Sequence, residues 1–308
     1  MTKRRVSLPD GAEATLRGFI AEVDDRLAAA SDPDALSEAV TEILVDLHGD
    51  RDAYEAWRND ESVSPVEAAR LSNYDPRNAT LESEYYAEKD EEAFARSKPL
   101  QWLWRQFDNS PLADNVEFAH RFRRTVADHL FADVGEDVRL FRGISMTYGH
   151  NIELGDNVVV HDDVHLDDRG ELVVGDRASV SDGVHVYTHD HDIVDQTEVE
   201  IFHTILENDA RLTYDTLMRA GSKLGENSVV GAKAIVDGDV PAHHVAVGQP
   251  AKSVRVKPGW ESVADPIEDR LERTKEARRI EYELPADLEI FDEFQRDLQP
   301  PDAPTPDN

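Results

Sequence analysis

From Leu224 to Arg255 the chain reads LGENSVVGAKAIVDGDVPAHHVAVGQPAKSVR, and an aliphatic residue returns at about every sixth place, at Leu224, Val230 and Val236. The same beat runs upstream through Ile152, Val158 and Val164, then through Val174, Val180 and Val186, with Leu166 to Leu172 as a longer corner between the runs. A period of six matches neither the 3.6 of a helix nor the alternation of a half-buried strand. It fits a coil with three short flat faces, in which one residue of each hexad points inward onto the coil below and Gly or Asn turns the corners. The pattern predicts a mainly β fold, a left-handed parallel β-helix over residues 138–258. A set of ordinary antiparallel strands is the alternative, and two separated tracts with one period count against it.

Elsewhere the apolar positions follow helical spacing. Leu16, Ile20, Val23 and Leu27 form one stripe, and Leu36, Val40, Ile43 and Leu47 a second, opened by Asp32-Pro33 as a start signal. Ser64-Pro65 opens a further short helix, and Tyr54 and Trp57 before it are expected to be buried. Leu100, Leu103, Trp104 and Phe107, then Phe118, Phe122, Val126 and Leu130, predict helices over 90–107 and 115–131. These are expected to cap the β-helix, where an unpaired coil would expose backbone groups. Asp265 to Glu283 reads as one charged C-terminal helix, and the closing QPPDAPTPDN as disordered. The expected domains are a helical N-terminal extension (1–82), a helical cap (83–137), the β-helix (138–258) and a C-terminal helix with its tail (259–308).

Charge narrows the partners. Against 33 basic residues, only eight of them Lys, stand 65 acidic ones, for a net charge of −32. Such a chain repels nucleic acid and anionic membrane surfaces, so neither is an expected partner. The composition resembles proteins of salt-accumulating archaea, and the expectation is a halophilic protein whose fold loosens when salt no longer screens its self-repulsion. Absence of Cys excludes disulfides, Cys-ligated zinc and a thiol nucleophile. No apolar run approaches the ~20 residues of a membrane span. The start MTKRRVSLPDGAEATL lacks the apolar stretch of a signal peptide, which points to a cytoplasmic location.

Residues 148–192, YGHNIELGDNVVVHDDVHLDDRGELVVGDRASVSDGVHVYTHDHD, resemble the maltose, galactoside and nodulation-type sugar O-acetyltransferases of the hexapeptide-repeat superfamily. That family's pattern is YGxNIxIGxNxxxN, an acidic corner, IGDN and then GVxIYTxxHP. The closing VPAHHVAVGQPAKSVR is similar to its strap IPxNVVxxGNPAxVIR, and Tyr86, Asp90 and Gln106-Phe107 fall where its helical lead-in has Tyr, Asp and an Arg-Tyr pair. The resemblance covers about residues 84–257.

It implies a homotrimer that moves an acetyl group from acetyl-CoA, as co-substrate and without a metal, to a sugar hydroxyl at a site shared by two subunits. Counted from Tyr187-Thr188, the family's general base falls on His191, with His189 as the competitor two residues away. A neutral imidazole suits the task, because a sugar hydroxyl is a poor nucleophile until its proton is taken. The same alignment makes the Tyr214 N–H the oxyanion donor, places Glu88 and His161 as acceptor contacts, and puts Thr213, Ala232, Lys233, Lys252 and Arg255 on CoA. Lys257 joins the cations at that end, and clustered cations suit a polyphosphate, although pairing with nearby carboxylates would explain them equally. The chain departs from the family at His161 (Asn there), at Arg211-Leu212-Thr213 (Trp-Ile-Gly) and at Asp237-Gly238 (Thr-Lys), the last removing a cation used on CoA.

Two other readings stay open. His161, His165, His185, His189, His191 and His203 are close in sequence, and γ-class carbonic anhydrases hold a metal with three His on this fold. That family's His pair, four residues apart around a coil corner, sits in HGC-like or GHN-like contexts that none of the six shares, and His165 and His203 are expected to be merely solvated. A non-catalytic trimeric scaffold with a decayed acyl site is the other.

Overall fold

The computed structural model describes residues 6–193, 198–268 and 271–284. The QPPDAPTPDN segment lies outside them. The chain divides into two compact units, one built from residues up to 81 together with 91–130 and 140–142, the other from 82–90, 131–139 and everything from 143 onward.

The first unit is helical: α1 (Asp10–Ala29), α2 (Pro33–His48), α3 (Arg51–Arg58), α4 (Pro65–Ser72), α5 (Glu91–Asp108) and α6 (Val116–Leu130). The start of α2 is fixed as its sequence predicts, since Asp32 accepts from the Ala35 N–H at 2.9 Å and Pro33 occupies the first turn. Val40, Ile43, Leu103, Phe107, Phe118 and Phe122 are fully buried, and the Phe107 and Phe122 rings stack at 4.1 Å. Because α2 packs along α5 and α1 along α6, the boundary drawn near residue 82 does not separate an extension from a cap. The two share one core. Tyr54 is buried and Trp57 half-buried, both on α3, a helix that the apolar spacing did not mark.

The second unit is a left-handed parallel β-helix. Its first sheet stacks Asp133–Val134, Ile152–Leu154, Glu171–Val174, Val199–Leu206, Lys223–Leu224 and Asp239–Val240. The second includes Val159–Val160, Ser179–Val180, Arg211–Leu212, Val229–Val230 and His244–Gly248, and the third Ser145–Met146, His165–Leu166, His185–Val186, Leu217–Met218 and Ile235–Val236. All nine residues of the six-residue beat are at most 1% exposed. Corners carry left-handed backbone, at Asn157, Arg177, Asp209 and Asn227 on one edge and at Asp163, Asp215 and Lys233 on the next. Asn and Asp tolerate that conformation best, which is why they recur there.

Stacked partners Val160 and Val180 lie 20 residues apart, but Val180 and Leu212 lie 32 apart. The longer interval holds an excursion in which His189–His191 pairs antiparallel with Val199–Ile201. At the far end Ala251–Val256 returns antiparallel along His244–Gly248 and forms the last strand of the second sheet.

The described residues of 265–283 do not form the expected helix. From Leu271 the described chain is an extended arm with one 3-10 turn, Lys275–Arg278, and a strand, Arg279–Ile280, that pairs antiparallel with Ile201–Phe202. Long-range partners displace the helical bonds: the Asp239 N–H donates to the Glu272 carbonyl at 2.8 Å, Arg273 reaches Asp237 at 2.5 Å, and Arg278 bonds both Asp239 and the Gly221 carbonyl. Tertiary pairing of this kind outweighs a weak local preference. Among the described residues no helix is long and apolar enough to cross a membrane.

Candidate active site

At the corner between the third and first sheets, successive coils stack Thr147–Asn151, Asp167–Gly170, the excursion that begins at Tyr187, Arg219–Ser222 and Asp237–Gly238. Leu166 pairs with Val186 in register, so Asp167 comes to lie against Tyr187-Thr188 of the next coil. Its carboxylate, 1% exposed, accepts from the Thr188 N–H (2.8 Å) and hydroxyl (3.0 Å), the Thr147 hydroxyl (2.8 Å) and His189 Nδ1 (2.7 Å). Burial by itself would raise the Asp167 pKa. The hydrogen bond and charge of His189, with the Thr188 and Thr147 donors, outweigh burial and hold it at about 2.

An ionised Asp167 assigns the proton of the His189 ring to Nδ1 and leaves Nε2 as the basic atom. The His189 side chain is 16% exposed, and the His191 ring stands edge-on to it at 5.2 Å. His191 itself is exposed. The structure therefore sets His189 on a buried carboxylate, whereas the motif alignment favours His191. Between them, Asp190 is gripped by Arg219 at 2.8 Å and Lys275 at 3.4 Å.

The adjacent Asp168 is fully buried and accepts from the Thr147, Tyr148 and Asn151 N–H groups. Burial, reinforced by the charge of Asp167, lifts it to about 7 against the Tyr148, Asn151 and Gly149 donors. A folded-state value raised above the unfolded one gives stability that is complete below about pH 4 and lost as pH climbs through about 7. In concentrated KCl, the wild-type melting temperature should rise between pH 8 and pH 5 by more than that of Asp168→Asn, which lacks this proton. Parallel pH curves for the two proteins would refute the assignment. The variant should also be about 1–3 kcal/mol less stable at pH 5, since an amide NH2 would face one of those donors.

Glu88, expected to meet the acceptor, is buried and ion-paired to Arg169, with side chains 4% and 6% exposed. The Arg169 guanidinium lies 4.0 Å from the centroid of the Tyr86 ring, and the Tyr148 hydroxyl donates to Glu88 at 3.4 Å. Glu88 is thus committed within the protein and shapes the wall beside Asp167. His165 is not simply solvated, because Ser145 Oγ lies 3.0 Å from its Nδ1 and burial pushes its pKa down. His203 is a surface residue that meets Glu171 at 2.7 Å.

The remaining candidates gather elsewhere. Thr213 and Tyr214 occupy the corner between the second and third sheets, with Ala232 and Lys233 stacked on them: the Lys233 N–H donates to the Tyr214 carbonyl at 2.9 Å, and its Nζ pairs with Asp215 at 2.8 Å. His161 turns the same corner on an earlier coil, 3.8 Å from Asp182. Lys252 and Arg255 are exposed on the returning strand and make no ion pair among the described residues, and Lys257 bonds Asn227. One side of a coil, roughly six residues or 20 Å of extended chain, separates this corner from His189. A single chain does not bring the Tyr214 N–H to either histidine. Among the described residues no group of three His, Cys, Asp or Glu side chains is set to hold a metal.

No protein-family model matches the chain. Individual proteins do. It is 27% identical over 154 residues to "Putative colanic acid biosynthesis acetyltransferase WcaF" of Escherichia coli (strain K12), which covers 50% of this chain and 85% of that protein. Galactoside O-acetyltransferase of the same strain is 26% identical over 137 residues, 43% of this chain and 68% of its own length. The chain is similar to these named acetyltransferases over about half of its length. A crystal structure of a maltose O-acetyltransferase from Clostridium difficile 630 overlaps 58% of this chain and 99% of its own, at 27% identity and a TM-score of 0.49. Asp167 was not singled out in the sequence beyond being part of an acidic corner. The signal was available in the repeat, since a coil of 20 residues carries Asp167 onto Tyr187 and so next to the histidine motif.

Proposed function

We propose that the chain transfers an acetyl group from acetyl-CoA to a hydroxyl of a sugar or sugar-containing acceptor, with His189 as general base. The Asp167–His189 pair carries this reading. Nε2 takes the hydroxyl proton as the acceptor oxygen attacks the thioester carbonyl; the C–O bond forms, and the proton passes to the CoA sulfur as the C–S bond breaks. Asp167 keeps the ring in the tautomer this needs and stabilises the imidazolium between the two steps. An exposed His191 beside it on the same strand suits contact with the acceptor.

The oxyanion that forms on the carbonyl requires a fixed donor. Tyr214 N–H fills that role from a second copy of the chain, because one copy holds it a coil-side away from its own His189. That separation supports a homotrimer whose edges alternate the two corners. Lys252 and Arg255, exposed cations in a chain of net charge −32, favour the CoA phosphates, with Lys233, Thr213 and Ala232 along the same edge. The acidic surface supports work at high salt in a cytoplasm that accumulates it.

The test is CoA release from acetyl-CoA in concentrated KCl across a panel of sugars and sugar nucleotides. Release that depends on a sugar, with the acetylated sugar detected by mass spectrometry, is the expected result. No sugar-dependent release with any acceptor would overturn the reading.

A further inference from the structure

The arm at residues 271–284 lies beyond the stretch 84–257 over which the acetyltransferase motifs run, yet its seat on the β-helix is built for it. A Cβ added at Gly238, where φ is +131°, would come within 2.5 Å of the Glu272 carbonyl oxygen, and one at Gly221 within 2.6 Å of Lys275 Cβ. Side chains at either position would push the arm off. Asp237, which stands where the resembled family has Thr, its Lys falling on Gly238, takes Arg219 (3.5 Å) and Arg273 (2.5 Å), and Asp239 takes Thr274 and Arg278. The departure from the family motif at Asp237-Gly238 thus serves the arm.

The arm also meets the excursion that bears the histidines. Lys275 reaches Asp190, the residue between His189 and His191. Strands His189–His191 and Arg279–Ile280 flank Val199–Leu206, with His189 and Ile280 both opposite Ile201. Side chains alternate faces along a strand, so His189, His191 and Ile280 share one face of this three-stranded sheet. Tyr282, two residues further on, donates its hydroxyl to the carbonyl of Val199, the partner of His191, at 2.6 Å. Its half-buried ring is within the fields of Glu88 and Arg169, the ion pair that walls the site beside Asp167, and burial first, then Glu88, raises its pKa, so it stays a neutral donor.

We propose that the C-terminal arm is a built part of the active site and that Tyr282 is a specificity-determining residue, offering its ring to the acceptor sugar on the side of the histidine face. An aromatic ring with a polar rim is the surface that a pyranose, apolar on one face and hydroxylated at its edge, stacks on. The proposal rests on the acyl-transfer reading.

Full-length Tyr282→Ala, Tyr282→Phe and wild type are compared in the CoA-release assay, with melting temperatures measured alongside. Loss of the ring should raise KM for the best acceptor about tenfold or more and reorder the acceptor panel, while KM for acetyl-CoA stays within about twofold; Tyr282→Phe, which keeps the ring, should restore most of the acceptor KM. An unchanged acceptor KM in Tyr282→Ala overturns the proposal and leaves acyl transfer standing. Equal rises in both KM values with a matching fall in melting temperature also overturn it, since they mark a structural role only. No turnover in wild type with any sugar removes the acyl-transfer reading itself, and this proposal with it.

Discussion

Replacing His189 by Ala should lower kcat with the best sugar acceptor by about 10²–10⁴-fold, the usual contribution of a positioned general base, with little change in KM for acetyl-CoA. Of the two histidines two residues apart on one strand, His189 is the one whose Nδ1 sits 2.7 Å from a buried carboxylate, so its Nε2 has a fixed direction and a fixed tautomer. His191 is exposed and should tolerate Ala with a change in acceptor KM and a much smaller loss in kcat. Single-turnover rates for both variants in concentrated KCl decide between them. A collapse confined to His191→Ala would return the base to the residue that the family motif indicates and leave Asp167–His189 as a structural pair.

Asp167→Ala should destabilise the β-helix unit by about 3 kcal/mol, because the Thr188 N–H, the Thr147 hydroxyl and His189 Nδ1–H would all lose a buried acceptor at once. Asp167→Asn preserves volume and some of those bonds but removes the charge, so it should keep most of the stability and still lose catalysis, since its ring tautomer and imidazolium are no longer favoured. The acid limb separates the two roles. A carboxyl with a folded value of about 2 and an unfolded value near 3.9 contributes stability that is present above about pH 4 and disappears as pH falls from 4 to 2. Asp167→Asn should lack that loss, on the order of 2 kcal/mol, when acid unfolding is followed by circular dichroism in concentrated KCl. Identical acid midpoints for variant and wild type would show that Asp167 is not held ionised.

The β-helix was legible because its core obeys one rule repeated many times. Ile152, Val158, Val180 and Val230 each face inward for the same geometric reason, and the long corner at Leu166 to Leu172 appeared as a gap in the beat. The excursion after Val186 was not legible, because pairing of His189 with Ile201 is antiparallel and leaves no hexad behind. The arm misled in a different way: its alternating charges suit a helix face equally well, and only the distant acceptors Asp237 and Asp239, with the space at Gly221 and Gly238, draw it out into extended backbone. At the site, motif counting found both histidines, but ranked them without knowing which one meets Asp167. That distinction depends on stacking between coils, which a linear motif does not encode. Glu88 was read as an acceptor contact, and its ion pair with Arg169, which buries both side chains, was not foreseen.

The antiparallel return of Ala251–Val256 along His244–Gly248 also governs where the architecture stops. A parallel ladder is an open-ended screw: each rung presents the next with the hydrogen-bonding pattern it needs, and nothing in the ladder itself limits its length or bars another molecule from continuing it. Reversing the final strand presents groups spaced for an antiparallel neighbour, and Lys252 and Arg255 stand on that border as like charges that any second copy would have to meet head on. The chain thereby carries its own stop thread, so that its coils form a rod of fixed length and not the first segment of a filament.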